Sequence, residues 1–149
     1  MSELEVKQIE NLLSIDFAHL VKESKEDGFR FLERLVDEYR SGTNTFHKPG
    51  ELLYGVYNTD GILVAIGGLN VDPFSENQKI GRLRRFYVAS SYRRKGVGAL
   101  LLNEIIPNAR RHFEVLVLNT DTESADKFYT SLGFSKEAKY KKSSHYLNL

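Results

Sequence analysis

The chain has 149 residues, 41% hydrophobic and 28% charged, with a formal net charge of +1. That length suits one domain, residues 1–149, with room for a core, and the near-neutral charge gives no global attraction to nucleic acid or to an anionic membrane. There is no cysteine, which excludes a disulfide frame, a thiolate metal site and a cysteine nucleophile.

The first residues, MSELEVKQIE, are charged and no long apolar run follows. Neither a signal peptide nor a membrane span is expected, and a cytoplasmic setting suits the composition. Residues Glu3 to Leu13 mix apolar and charged positions and are read as a first strand. Ile15 to Glu23 reads as a short helix and Asp27 to Arg40 as a longer one. In the latter, Phe31, Leu32, Leu35, Val36 and Tyr39 recur at helical spacing. Asp27 is the predicted N-cap and Gly42 the stop signal. The loop Ser41 to Gly50 is polar apart from Phe46 and is predicted to be exposed.

A hairpin follows, with strands Leu52 to Tyr57 and Ile62 to Leu69 joined by Asn58-Thr59-Asp60-Gly61. Asp-Gly between two apolar runs is a strong hairpin signal. Gly67 and Gly68 inside the return strand predict a bulge or a close backbone approach. Val71 to Lys79 reads as loop and Ile80 to Val88 as the next strand.

The stretch Leu83 to Leu102, LRRFYVASSYRRKGVGALLL, passes from that strand through a short polar turn into an apolar helix. Arg93, Arg94 and Lys95 stand at the junction with Gly96, Val97 and Gly98. Helix N-termini leave backbone N–H groups unpaired and carry partial positive charge. Glycine lets an anion approach them, and cations add charge pairing. The stretch therefore predicts an anion site. It is not a P-loop, because no Gly-Lys-Ser/Thr follows at the required spacing. It is not a dinucleotide fingerprint, because Leu101 stands where a third glycine is needed.

The helix is predicted over Gly96 to Arg111, with Val97, Leu100, Leu101, Ile105 and Ala109 on its apolar face. Pro107 should kink it or end it near Ile106. Glu114 to Leu118 is short, apolar and β-branched. It should run parallel to Leu83–Val88 through a right-handed crossover. Thr122 to Leu132 reads as a second helix with Ala125, Phe128, Tyr129 and Leu132 on one side, ended by Gly133. The tail holds a last strand with His145, Leu147 and Leu149 in alternation. Four scattered histidines predict no metal site. His47 and His145 read as ordinary loop and strand residues, and Lys139, Lys141 and Lys142 as a solvated loop.

The run Arg93-x-x-Gly96-x-Gly98 resembles the pyrophosphate-binding motif of the GNAT superfamily of acetyl-CoA-dependent N-acetyltransferases. The run Ala125…Tyr129-x-x-Leu132-Gly133-Phe134 resembles a second segment of that family. The resemblance implies a mixed α/β fold: a mostly antiparallel sheet of six to seven strands, a central splayed parallel pair and about four flanking helices. It implies acetyl-CoA as co-substrate, with no metal, and an amine acceptor that is a small molecule or a peptide. The pyrophosphate would sit on the N–H groups from Arg94 to Ala99, including Lys95, Gly96, Val97 and Gly98, with Arg93 bracing the turn. The pantetheine arm would pair with the backbone of Phe86, Tyr87 and Val88. A backbone N–H near Val88 would stabilise the oxyanion, and Tyr129 would protonate the leaving thiolate. Family members often carry asparagine seven residues before that tyrosine. Thr122 stands there instead, with Asn119 as a substitute. No general base is evident; water relay to Asp72, Glu76 or His47 is one route. Arg84 is read as recognising an acidic group on the acceptor. The resemblance implies no nucleic-acid or membrane partner and leaves room for a homodimer through the last strand. Two other readings stay open. One is a catalytically idle acyl-CoA sensor of the same fold. The other is a nucleic-acid module using Arg82, Arg84, Arg85, Arg93, Arg94 and Lys95.

Overall fold

The computed structural model of the chain describes residues 4–149. One sheet of seven strands organises it: β1 (Glu5–Gln8), β2 (Leu52–Tyr57), β3 (Leu63–Val71), β4 (Ile80–Val88), β5 (Val115–Leu118), β6 (Ser135–Lys136) and β7 (His145–Asn148). Their spatial order is β1-β2-β3-β4-β5-β7-β6. All neighbours are antiparallel except β4 and β5, which are parallel. Four α-helices cover the sheet: α1 (Ala18–Glu26), α2 (Phe31–Ser41), α3 (Val97–Arg110) and α4 (Glu123–Ser131). The expected mixed fold, with its splayed parallel pair and four helices, is present. The two-residue strand β6 has no counterpart in the sequence reading, being too short for periodicity to mark.

The sheet separates two cores. Leu32 and Leu35 of α2 and Leu20 of α1 pack on one face with Leu53, Leu63 and Ile66. Leu101, Leu102, Ile105 and Ala109 of α3 pack on the other with Leu69, Leu83 and Leu116. Each leucine or isoleucine among them contributes roughly 1.5–3 kcal/mol on full burial. On α3, Leu102 is buried and Leu100 exposed. Val97, Leu101, Ile105 and Ala109 are buried as expected, and Leu102 rather than Leu100 completes the face. Pro107 does not end this helix, which runs on to Arg110. Only its last turn follows the proline, so a single donor is lost.

The first two helices differ most from expectation. Asp27 does not cap α2. It closes α1, its N–H donating to the Glu23 carbonyl. Gly28 adopts φ +90°, and Phe29 N–H donates to the Ser24 carbonyl at 2.8 Å. That is the pattern of a glycine-terminated helix. The second helix starts only at Phe31, and Gly42 (φ +79°) ends it as predicted. The first strand begins at Glu5 and stops at Gln8; Glu3 lies outside the described residues. Phe46 is not exposed but 3% accessible. Its ring lies against Gly68, leaving no room there for a Cβ.

The hairpin turns where expected. Asn58 Oδ1 accepts from the N–H groups of Asp60 and Ile62, each at 3.0 Å. Against β2 the extra residue is Val64 of β3, but at the two glycines it lies on the partner strand β4. Ile66 faces Tyr87 and Gly68 faces Arg84, so Arg85 and Phe86 together oppose Gly67. Arg85 takes φ +57° to make this fit.

Candidate active site

Strands β4 and β5 pair over three residues only: Ile80 with Val115, Gly81 with Leu116 and Arg82 with Val117. Beyond Arg82, β4 runs on to Val88 while β5 ends at Leu118. The edge of β4 from Leu83 to Val88 thus faces a cleft.

The bulge sets which backbone groups point into it. Ala89 N–H donates to the Val64 carbonyl at 2.8 Å, and Ala65 faces Val88 one step along. Hydrogen-bonded and non-hydrogen-bonded pairs alternate in an antiparallel ladder. Val88 is therefore a non-hydrogen-bonded pair, and its N–H and C=O point away from β3. The carbonyl bears this out by accepting from Arg93 Nε at 2.9 Å. The N–H of Val88 is directed to the open side. Tyr87 has the opposite parity. Its backbone faces β3, and its hydroxyl reaches Glu23 and Asp27 in the helix layer at 2.7 and 2.8 Å. Tyr87 thus faces away from the cleft. Phe86 faces it, packed 6.0 Å from Phe128 and 6.1 Å from Tyr129 between ring centroids.

After β4 a short 3-10 turn (Ser90–Tyr92) leads to Gly96, which caps α3 at φ +80° without a side-chain hydrogen bond. Leu100 N–H donates to the Gly96 carbonyl at 3.0 Å. The three N–H groups before it, on Val97, Gly98 and Ala99, have no partner within the helix. No acidic residue stands in the first turn. Arg94 and Lys95 are exposed beside it and form no ion pair among the described residues. This end of α3 suits an anionic group. Gly98 is required by packing as much as by any ligand. A Cβ there would lie 2.9 Å from Phe128 Cζ, so the Phe128 ring of α4 would have to move aside.

Arg93 is held by the protein itself. Besides the Val88 carbonyl, its guanidinium bonds Asp27 Oδ2 at 2.8 Å and lies 5.2 Å from the Tyr87 ring centroid. Glu23 Oε1 accepts from Tyr87 and from Ser90 N–H at 2.7 Å. Arg93 first, then Tyr87, holds the Asp27 carboxyl below its usual range. This network clamps the end of β4 to α1, so Arg93 braces the turn. Its charge is already answered by Asp27.

On the other side of the cleft, Thr122 caps α4, its hydroxyl accepting from Ala125 N–H at 3.2 Å. Asn119 is exposed at the end of β5. Tyr129 is 7% accessible. Its ring meets Phe86, Phe128 and Phe134, the last two at 5.1 and 5.6 Å. Burial pushes its hydroxyl well above the ordinary tyrosine value of 10. The hydroxyl takes no hydrogen-bond partner among the described residues. His145 is a strand residue, as read, and it is buried. It bonds Ser144 Oγ at 2.8 Å and Asp126 Oδ1 at 2.7 Å, which ties α4 to β7 beneath Tyr129. This bond first, then Lys136, keeps the Asp126 carboxyl below its usual range.

The groups named for proton relay do not gather here. Asp72 is buried against Arg82 at 2.8 Å. His47 bonds the Glu10 carbonyl, and Glu76 is exposed on the β3–β4 loop. The carboxylate that does meet the bulge is Glu38 of α2, 2.7 Å from Arg85. Sequence reasoning missed it, since no spacing links a helix surface glutamate to a distant strand. Of the six cations considered for nucleic acid, Arg82, Arg85 and Arg93 are engaged by Asp72, Glu38 and Asp27.

A family model described as an acetyltransferase (GNAT) domain matches residues 50–136. That span holds the hairpin, the bulged strand, the glycine turn, α3, β5 and α4. The chain belongs to the GNAT family of acetyltransferases. Among solved structures, a candidate acetyltransferase from Exiguobacterium sp. 255-15 is similar over 98% of this chain and 93% of that one, with 28% identity and a TM-score of 0.87. A GCN5-related N-acetyltransferase from Kribbella flavida shares 19% identity and a TM-score of 0.74, covering 98% of each chain. A GNAT-family acetyltransferase from Staphylococcus aureus Mu50 shares 16% identity over 97% of this chain and 96% of that one, with a TM-score of 0.70. The last two show likeness of fold alone. Among the described residues no helix is long and apolar enough to cross a membrane.

Proposed function

We propose that this GNAT protein transfers an acetyl group from acetyl-CoA to a primary amine by direct attack within a ternary complex. One observation carries the reading. The open edge of β4 presents the Val88 N–H, and the helix that follows presents three N–H groups unpaired within the helix, flanked by two cations that form no ion pair among the described residues. The residues present fit the cofactor. Val97, Gly98 and Ala99, with Arg94 and Lys95, suit a pyrophosphate, and the cleft lined by Phe86, Phe128 and Tyr129 suits an extended, largely apolar arm. Acetyl-CoA when bound supplies an activated thioester.

The protein's own groups do the rest. Val88 N–H donates to the carbonyl oxygen as negative charge develops there. Tyr129 keeps its proton at neutral pH and gives it to the departing thiolate. One C–N bond forms and one C–S bond breaks; the amine loses a proton and the thiolate gains one. No protein nucleophile is needed, which suits a chain without cysteine.

The direct assay follows thiol release from acetyl-CoA with a set of primary amines. Release that needs both protein and amine is the expected result. Tight acetyl-CoA binding with no release over any amine would favour the idle sensor instead.

A further inference from the structure

We propose that the acceptor amine carries its own anionic group, a carboxylate or a phosphate, and that Arg84 holds it. This rests on the acetyltransferase reading above.

The argument starts from β4. Strand alternation puts Arg82 and Arg84 on the face opposite Leu83, which packs against α3. The bulge then adds Arg85 to the same side, where it meets α2 through Glu38. Three guanidinium groups thus stand within four residues on the α1/α2 face of the sheet. A guanidinium removed from water needs acceptors, and its charge needs a counter-charge.

Two of the three have them. Arg82 bonds Asp72 Oδ1 and the carbonyls of Lys141 and Lys142, all at 2.8 Å. Arg85 bonds Glu38 at 2.7 Å. Arg84 has neither a hydrogen bond nor a carboxylate within 4.0 Å among the described residues, although it is half-buried. Burial, and then the neighbouring charge of Arg85, push its guanidinium below the usual arginine value. The Arg84 nitrogens still reach solvent, whereas a donor beside them does not. Arg85 is 9% exposed, and its Nε is buried without a partner.

No acidic side chain among the described residues bonds Arg84, although the Glu38 and Asp72 charges oppose that of Arg85 in part. Glu38 is engaged by Arg85. Asp72 keeps Oδ2 without a donor, yet Arg84 does not bond it. Glu51, just before β2, accepts from Lys48 N–H through Oε1 and from Asn70 Nδ2 and Val71 N–H through Oε2. The face therefore has guanidinium donors left over where a planar, doubly accepting anion would satisfy them.

The position fits an acceptor rather than the cofactor. Arg84 is on the sheet face away from α3 and α4, just before the bulge that aims Val88 N–H at the cleft. Val88 is four residues on, at most about 13 Å at roughly 3.3 Å per extended residue, and less because the bulge at Arg85 shortens the strand. The arginine side chain spans part of that. A compact molecule with an amine at one end and an acid at the other would bridge it.

The test uses thiol release with glycine, β-alanine, 4-aminobutyrate and 6-aminohexanoate, each beside its amide, and phosphoethanolamine beside ethanolamine. The wild type is expected to prefer the best acid over its neutral partner by about 30-fold or more in kcat/KM, mostly through KM. Whether carboxylate or phosphate gains most separates the two sources. In Arg84→Met the preference should fall to within about threefold, and Arg84→Lys should restore part of it. Calorimetric binding of acetyl-CoA reports that each variant is folded. Acids no better than amides, or a preference that survives Arg84→Met, would overturn this inference alone. No release with any amine would overturn the acetyltransferase reading and this inference with it.

Discussion

Tyr129→Phe is expected to lower kcat by about 10²–10⁴-fold, the usual worth of a positioned acid, while the KM for acetyl-CoA changes by less than about threefold. The structure makes this a clean substitution. The Tyr129 ring is fixed by Phe86, Phe128 and Phe134, and a phenylalanine ring keeps every one of those contacts. The hydroxyl bonds no group among the described residues, so its loss leaves no orphaned partner there. What disappears is a proton donor in an apolar setting. Burial holds that donor above the ordinary value of 10. The sign follows: the neutral, donating form is present throughout the neutral range and is lost only at strongly alkaline pH. Wild-type kcat should therefore show no basic limb from this group below pH 10. A variant with unchanged kcat would assign Tyr129 to packing alone.

Val88→Pro is expected to lower kcat by about 10²–10³-fold, the cost of losing one oxyanion donor. Proline removes the N–H of Val88 and nothing else in the ladder. Val88 is a non-hydrogen-bonded pair with Ala65, so β3 loses no bond, and the site tolerates proline as an edge position does. Its carbonyl, which Arg93 holds, is untouched. Thermal melting should stay cooperative, which separates a catalytic loss from unfolding. If turnover survived in a folded variant, the oxyanion donor would lie elsewhere.

What the sequence made legible was local. The strand Ile80–Val88 and the strand Leu52–Tyr57 are seen with their predicted ends, because alternation and turn residues mark them within a short window. The glycine turn was legible for the same reason. The Asp27–Gly28 helix end was legible too, since a glycine after a polar last turn is a stop signal. Reading Asp27 as a cap instead merged two breaks into one. The distant pairings were not legible. Nothing in the spacing says that Asp27 meets Arg93, that Glu38 meets Arg85, or that Phe128 packs against Gly98. Those contacts cross from one helix layer or strand to another, and only the sheet order brings them together. The bulge shows the boundary well. Two glycines flagged an irregularity at the right place, but the extra residue sits on β4, because Arg85 and Phe86 together oppose Gly67. The acceptor side depends almost wholly on such contacts, which is why Arg84 could be suspected from sequence while its lack of a partner could not.

The measurement that bears most directly on the cofactor site is calorimetric titration of acetyl-CoA into the wild type and into Arg94→Glu/Lys95→Glu. Both side chains are exposed and neither packs in a core. Their reversal is a cleaner probe than changing Gly98, where any side chain strikes Phe128. The expected result is binding in the micromolar range, weakened about 100-fold by the double reversal as two attractive charges become repulsive. No binding to the wild type, or equal binding to the variant, would contradict an acetyl-CoA site at the start of α3.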